Sequence, residues 1–431
     1  MDENHAYLEI ESDAWEKEVL HSDLPVVVDF YSDECPPCEA LAPKYASLAD
    51  QWHRDVKFVK VFRQKNRALA ESLGVRGSPT VLFFHGGQER GARLTGGIRR
   101  ADLVHQFESF VGPERAQEIR DGVRPIHSSC DVLILGAGPA GLTAGMYTAQ
   151  AKLKTVIVDG ALAGGNVAIT HQVANYPGFS KPVPGWQLAD HMASHAKGAG
   201  AVLREAVDVT SFDPEAKAVV IDGYETIQAR YVILATGNSP RPLGIPGEKT
   251  LKGKGVSYCA TCDGKYFEGK EIVVIGGGNS ALEESLFLAT FVKKLTLVHR
   301  RDAFRADPGI QEKVVKVPVI EPLMSHQPAA FRRLEDGRMQ VDLIGVGTGA
   351  PRSLVTDGIF VFAGMVTNPP PGTERLARDE SGAVIGDEEM RTNLPGIFVA
   401  GDVRAKRYRQ ITTAVSDGTA AAMAVTKAHY G

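Results

Sequence analysis

Two glycine-rich turns constrain this chain more than any other feature. The first, Gly136-Ala137-Gly138-Pro139-Ala140-Gly141, succeeds the apolar run 131–135 and opens a helical pattern over 142–151. The second, Gly276-Gly277-Gly278-Asn279-Ser280-Ala281, succeeds the strand-like run 271–275 and opens a helical pattern over 282–289. A strand feeding a helix through such a turn lets a pyrophosphate approach the backbone at the helix N-terminus, whose dipole stabilises its charge. The next strand distinguishes the two turns. Beyond the first, the strand 155–158 ends in Asp159, where an acid accepts from a ribose 2′-hydroxyl, so an unphosphorylated adenine dinucleotide is expected. Beyond the second, the strand 295–298 runs into His299-Arg300-Arg301-Asp302-Ala303-Phe304-Arg305, whose guanidinium groups suit a 2′-phosphate. NADPH is expected there.

Five cysteines fall as Cys35/Cys38, Cys259/Cys262 and a single Cys130. In a reducing compartment C-x-x-C pairs are metal ligands or redox dithiols. One shared zinc site is disfavoured because the pairs lie far apart and each sits in its own complete motif, so no metal is expected. Cys259-Ala260-Thr261-Cys262-Asp263-Gly264 lies just ahead of the second nucleotide turn, where a dithiol can exchange electrons with a bound cofactor. Cys35 opens a helical pattern through Leu41, Tyr45 and Leu48, and the helix dipole there favours the thiolate. Cys130 reads as an inert thiol at the start of a strand. His191 and His195 share a helical face, but Met192 stands where a hydrolytic H-E-x-x-H has its glutamate, and no third ligand accompanies them. They read as surface histidines.

Lys plus Arg number 48 against 52 Asp plus Glu, and the net charge of -4 gives no electrostatic reason for a nucleic acid or an anionic membrane as partner. No run approaches ~18 uninterrupted apolar residues, and the first residues lack the basic and apolar regions of a secretory leader. A cytoplasmic location is expected.

Taken in order, 26–31 reads as a strand, 56–62 as another, 67–73 as a helix, 80–84 and 90–94 as a hairpin about Gly86-Gly87, and 102–111 as a helix. Asp29 inside the first strand is either outward-facing or a costly buried acid, and the functional reading is favoured. The basic stretch 63–67 reads as a solvated face. Residues 112–130, with Pro113, a short charged helical stretch, Gly122 and Pro125, read as a linker that would span about 20–25 Å as a flexible coil. The run 231–237 is a strand ending in a tight turn, 358–363 reads as a return to the first nucleotide domain, and 396–402 is the last strand, succeeded by a helix over 412–428.

Residues 13–111 resemble a thioredoxin domain. The resemblance makes Cys35 and Cys38 its redox pair, makes Pro79 of Gly77-Ser78-Pro79 a cis proline, and makes Asp29 with Lys60 a buried acid and its partner that assist deprotonation of Cys38. Two positions depart from it. Glu34 replaces the usual tryptophan, and Pro36 replaces the usual glycine, so no N–H at 36 can donate toward sulfur.

Residues 130–431 resemble the small, two-cysteine thioredoxin reductases, and the whole chain resembles a thioredoxin–thioredoxin reductase fusion. The resemblance implies an α/β chain: a thioredoxin fold over 1–112, a linker over 113–130, and two Rossmann-like domains. FAD binding is split between 131–243 and 357–431, and NADPH binding with the redox pair is inserted over 244–356. It assigns to FAD Gly136, Gly138, Pro139, Ala140, Gly141, Asp159, Gly165, Asn166, Asn175, Ala235, Thr236, Gly237, Gly401, Asp402, Arg409, Gln410 and Ile411. To NADPH it assigns Gly276, Gly278, Asn279, Ser280, Ala281, His299, Arg300, Arg301 and Arg305. Cys262 would face the flavin as the charge-transfer thiol, Cys259 would exchange with the protein substrate, and Asp263 would be the general acid. A homodimer and a rotation between the two nucleotide domains are implied as well. Asn166 stands for a usual glutamine and Asn279 for a common aspartate.

Electrons are then expected to pass from NADPH to FAD, to Cys259/Cys262, to the fused Cys35/Cys38 and on to client protein disulfides, peroxiredoxins among the candidates. A peroxiredoxin reductase of the alkyl hydroperoxide type ranks second, because its thioredoxin-like fold is doubled and one copy is present here. A nucleotide-sensing redox scaffold without turnover is the alternative of another class, and two intact cysteine pairs argue against it.

Overall fold

A computed structural model of the chain describes residues 6–431 apart from His171 and Ala174, and apart from the side chains of Gln172 and Cys262. The first body is a mixed sheet in the order Tyr7–Ile10, Lys57–Phe62, Val26–Tyr31, Thr80–His85, Gln88–Glu89, with Leu94–Thr95 also pairing with Thr80–His85. Val26–Tyr31 runs parallel to Lys57–Phe62 and antiparallel to Thr80–His85. Its Val-Val-Val-Asp-Phe run is buried on both faces, as a central strand covered by helices must be. The helix Pro36–Trp52 packs Leu41, Tyr45, Leu48 and Trp52 against Phe58, Phe83 and Phe107. The short edge strand Tyr7–Ile10 was not expected from sequence, since only Ile10 of its residues is buried.

The segment read as a linker contains the short helical stretch the sequence suggested, and that helix is packed rather than free. Pro113–Asp121 is a helix, Ala116 is fully buried in the same core as Phe107, and Ile119 packs against that core. Arg115 forks onto Asp55 at 2.9 and 3.0 Å, and Arg120 pairs with Glu108. Ile126 already begins the next sheet, with its N–H donating to Tyr224 O. The polar run looked like a tether because its few apolar positions are spaced too sparsely to show a face in sequence. Only 122–125 remain between the two elements.

The second sheet has the order Val202–Arg204, Thr155–Val158, Ile126–Leu135, Glu225–Leu234, Ala218–Ile221, Val209–Asp213, with Ile397–Val399 parallel to Glu225–Leu234. Helix Pro139–Gln150 lies on it beside the C-terminal helix Ile411–Tyr430. Gly418 permits that crossing, since a Cβ there would stand 2.3 Å from Ala140 O.

A separate compact unit comprises 169–187 and 238–368. It holds a parallel sheet in the order Val256–Ser257, Gly358–Phe362, Glu271–Gly276, Lys294–Val298, Ile320–Leu323, and an antiparallel sheet of His326–Arg333, Met339–Gly345 and Pro351–Thr356. This corrects the expected boundary at 357. Gly358–Phe362 pairs with Glu271–Gly276 and therefore belongs to the parallel sheet of this unit; the chain rejoins the first unit at Pro369. A fully buried parallel strand carries no mark of which sheet it joins.

Candidate redox and nucleotide sites

Cys35 and Cys38 form a disulfide at the start of helix Pro36–Trp52. Pro36 occupies the first helical position, where an N–H would have no helical partner, and the sulfur of Cys35 accepts from the Cys38 N–H at 3.3 Å. The donor that Pro36 lacks is thus supplied two residues later. The Ser78–Pro79 peptide is cis, and Ser78 O lies 3.4 Å from Cys35 Sγ. Arg63 Nε donates to Ser78 Oγ at 3.0 Å, and Ser32 Oγ lies 2.5 Å from the same atom. Arg63 is therefore no member of a solvated face; its sequence neighbours gave no hint of that.

Asp29 is buried, and burial pushes its carboxyl up to about 7 despite the nearby Lys60 charge. Lys60 Nζ lies 4.4 Å from the Tyr31 ring centroid and 5.3 Å from that of Tyr7. A carboxyl raised in the folded state stabilises the fold fully below its unfolded value near 4, and that contribution is lost as pH rises through about 7. Asp29→Asn should therefore match the parent at pH 4 and exceed it by up to about 4 kcal/mol at pH 8. Denaturant unfolding of the full chain at the two pH values, monitored by tryptophan fluorescence, measures this. Equal stability at pH 8 would mean that Asp29 ionises freely.

Cys259 is disulfide-bonded and its Sγ lies 3.8 Å from Ile169 O, while the Cys262 side chain lies outside the described residues. Asp263 stands at the end of the turn Ala260–Asp263, its N–H donating to Cys259 O. Cys130 sits in strand Ile126–Leu135, buried, with its thiol pushed up to about 12 by burial, which suits the inert reading. His191 and His195 are exposed.

At the first nucleotide turn the glycines divide by role. A Cβ on Gly141 would stand 1.8 Å from Gly136 O, and one on Gly136 would stand 2.3 Å from Ala235 O, so both are fixed by packing. A Cβ on Gly138 would meet nothing within 4 Å, leaving space at the N-terminus of helix Pro139–Gln150. Asp159 accepts from the N–H groups of Ala137 at 2.6 Å and Ala161 at 2.8 Å, so it also orders the turn while keeping lone pairs for a sugar hydroxyl. Gly164 and Gly165 have positive φ, and Gly165 begins the short helix that holds Asn166. Thr236 and Gly237 come just after strand Glu225–Leu234, and Asn175 is exposed in a loop of the other unit.

At the carboxyl end of Ile397–Val399, Gly401 N donates to Asp417, which also receives Lys406 at 3.0 Å and Arg404 at 3.4 Å. Lys406 stands 3.5 Å from Asp402, whose carboxyl is raised by burial and drawn back down by Lys406 and Arg409. Arg409 Nε donates to Asp402 O, and Gln410 caps the helix that begins at Ile411. Sequence reasoning missed the support from Lys406 and Asp417; an aspartate within the alanine-rich C-terminal helix was the available signal.

The second turn borders a cavity of about 600 Å³ lined by Gly276, Gly277, Gly278, Asn279, Ser280, Ala281, His299, Arg300 and Arg305. Arg301 is exposed and is not among the lining residues. Gly277 leaves room for the His299 ring, which a Cβ would meet at 2.2 Å, and Arg305 N donates to Gly277 O. Burial and the Arg305 charge lower His299 below its ordinary value, and its buried Nε2 has no partner among the described residues. Asn279 is committed to Asp307 by two reciprocal bonds, 2.7 and 2.8 Å, so its amide braces the next helix.

Two family models match the chain: thioredoxin over residues 6–109, and pyridine nucleotide-disulphide oxidoreductase over residues 130–418. A thioredoxin reductase from Peptoclostridium acidaminophilum is 42% identical over 306 residues, covering 68% of this chain and 94% of that protein. The chain belongs to the thioredoxin reductases. It carries its own thioredoxin domain ahead of the reductase. The thioredoxin reductase of Bacillus subtilis (strain 168) is 41% identical over 301 residues, covering 70% of this chain and 94% of its own. A crystal structure of Lactococcus lactis thioredoxin reductase in the FR conformation superposes with a TM-score of 0.65 at 39% identity, covering 69% of this chain and 98% of that one. The reductase family implies a flavin and NADPH. Among the described residues, no helix is long and apolar enough to cross a membrane.

Within the first unit, the thioredoxin domain is held against the reductase by a defined set of contacts. Lys44 is buried, and its Nζ donates to Glu205 O and Ala206 O, each at 2.9 Å. Arg99 reaches Asp208 at 3.0 Å, Lys197 reaches Glu39 at 3.3 Å, and the Arg100 guanidinium covers the Tyr224 ring at 4.7 Å. Burial lowers the Lys44 ammonium to about 8. Nothing in the sequence singled out Lys44, since a lysine within an amphipathic helix ordinarily reaches solvent.

Proposed function

We propose that the chain is a self-contained NADPH-dependent disulfide reductase: FAD occupies the turn at Gly136–Gly141, NADPH the cavity at Gly276–Ala281, and the thioredoxin domain is the reductase's own substrate. The observation that carries this is the presence on one chain of the Cys35–Cys38 disulfide and of a reductase with its own cysteine pair at Cys259 and Cys262. Both nucleotide sites fit the groups assigned. Gly138 and Gly278 leave open space where a pyrophosphate would lie, and His299, Arg300 and Arg305 present donors to the second cavity. When bound, FAD supplies two-electron transfer between NADPH and a dithiol.

The protein's own groups then carry the exchange. The Cys259 thiolate attacks Cys35 and expels the Cys38 thiolate, forming a Cys35–Cys259 bond; Cys262 attacks Cys259 and releases Cys35. Asp263 supplies the proton for the outgoing thiolate, and Asp29 serves Cys38. The reduced Cys35 then opens a client disulfide, and Cys38 resolves that bond. Each cycle consumes one NADPH and one proton and yields two client thiols. We place this in the cytoplasm, as a homodimer acting on client protein disulfides, with peroxiredoxins among the candidates. Anaerobic addition of NADPH to the purified protein should bleach the flavin bands, and a subsequent protein disulfide should restore them. Bleaching without restoration would support the sensing scaffold instead.

Nucleotide choice should reside in the cationic side of the cavity. Arg300→Ala removes a charge-assisted phosphate contact of about 1.5–3 kcal/mol, so KM for NADPH should rise roughly 10- to 100-fold with little change for NADH. Steady-state kinetics with both nucleotides decide it, and equal losses would count against a 2′-phosphate contact.

A further inference from the structure

The rim of the Cys35–Cys38 disulfide is charged, and one of its charges is unspent. Arg63 uses Nε on Ser78 Oγ, which fixes the guanidinium beside the residue whose carbonyl lies 3.4 Å from Cys35 Sγ. Ser32 Oγ braces the same Ser78 hydroxyl from the other side. Nη1 and Nη2 of the half-buried Arg63 have no partner among the described residues. An arginine fork held in place by its Nε, with its terminal nitrogens open, is preorganised for a carboxylate. Asp33 and Glu34 next to Cys35 are exposed, and Glu34 takes a positive φ of 50°. The rim thus carries separated charges, and the Arg63 side offers a fork to an acid.

We propose that Arg63 is a specificity residue of the thioredoxin domain that binds a client carboxylate, from an Asp or Glu beside the disulfide that Cys35 attacks. The inference rests on the reading of Cys35 as the client-facing thiol. It makes the preferred clients proteins with an acidic residue next to the reactive disulfide, and it gives the basic segment that begins at Arg63 a role that its sequence did not suggest.

The test avoids NADPH, so that a failed electron route and a failed Arg63 assignment remain distinguishable. Full-length protein is reduced with dithiothreitol, desalted, and mixed in a stopped-flow instrument with either the dianionic 5,5′-dithiobis(2-nitrobenzoate) or the neutral 4,4′-dithiodipyridine. The rate seen with Cys35→Ser is subtracted from each. Arg63→Gln should slow the dianionic disulfide about tenfold and the neutral one less than twofold, and 1 M salt should narrow that difference. Arg63→Lys, which keeps the charge and loses the fork, should fall between. Equal slowing of both probes would overturn the proposal, because Arg63 would then act on the Cys35 thiolate or on the Ser78 loop. No slowing of either would overturn it as well. Anaerobic NADPH reduction of the Cys35–Cys38 disulfide in the same proteins with no client added, measured separately, reports on the electron route.

Discussion

Replacing Cys35 by serine should lower NADPH-dependent reduction of an added protein disulfide by about three orders of magnitude or more, while NADPH still bleaches the flavin at its parental rate. The size of the effect comes from chemistry: a serine hydroxyl at neutral pH is un-ionised and forms no disulfide, so the exchange loses its nucleophile outright. The selectivity comes from location, since Cys35 belongs to the N-terminal body and neither nucleotide turn includes it. Cys130 offers no substitute, because it is buried and its thiol is held protonated far above neutral pH. Stopped-flow absorbance and a turbidity assay of insulin reduction measure the two halves. Substantial client reduction by Cys35→Ser would mean that Cys259 and Cys262 serve clients directly and that the fused domain has another task.

The second large effect separates two glycines three residues apart. Gly138→Ala should fold normally and yet lose most of its flavin, because a Cβ there touches no protein atom and projects into the space left at the helix N-terminus. Gly141→Ala should fail earlier. Its Cβ would overlap Gly136 O at 1.8 Å, so helix Pro139–Gln150 cannot seat on its strand, and soluble folded protein should be scarce. Circular dichroism reports the fold, and absorbance in the visible flavin band per polypeptide reports the flavin. A Gly138→Ala protein that retains full flavin would show that the pyrophosphate does not approach this turn.

The residues to which chemistry is assigned were legible as motifs in the sequence because each sits in a short local pattern whose geometry is nearly fixed by its own residues. A strand, a glycine turn and a helix require no knowledge of the rest of the chain, and Cys35 at a helix start is a statement about one turn of backbone. By itself the sequence thus located two strand–glycine turn–helix units, two C-x-x-C pairs and the order in which they occur. It did not determine which sheet receives Gly358–Phe362, since an apolar parallel strand carries no label for its neighbours and pairing is settled by long-range contacts. Nor did it show that Pro113–Asp121 is packed, because burying Ala116 depends on the surface that Phe107 and Trp52 present, which exists only in the folded domain. Lys44 and Arg63 obey the same logic. Both are long cations whose local surroundings predict solvent, and only the tertiary structure brings Glu205 O and Ala206 O to one and Ser78 Oγ to the other, because a buried carbonyl or a braced hydroxyl becomes a partner through the folding of distant segments.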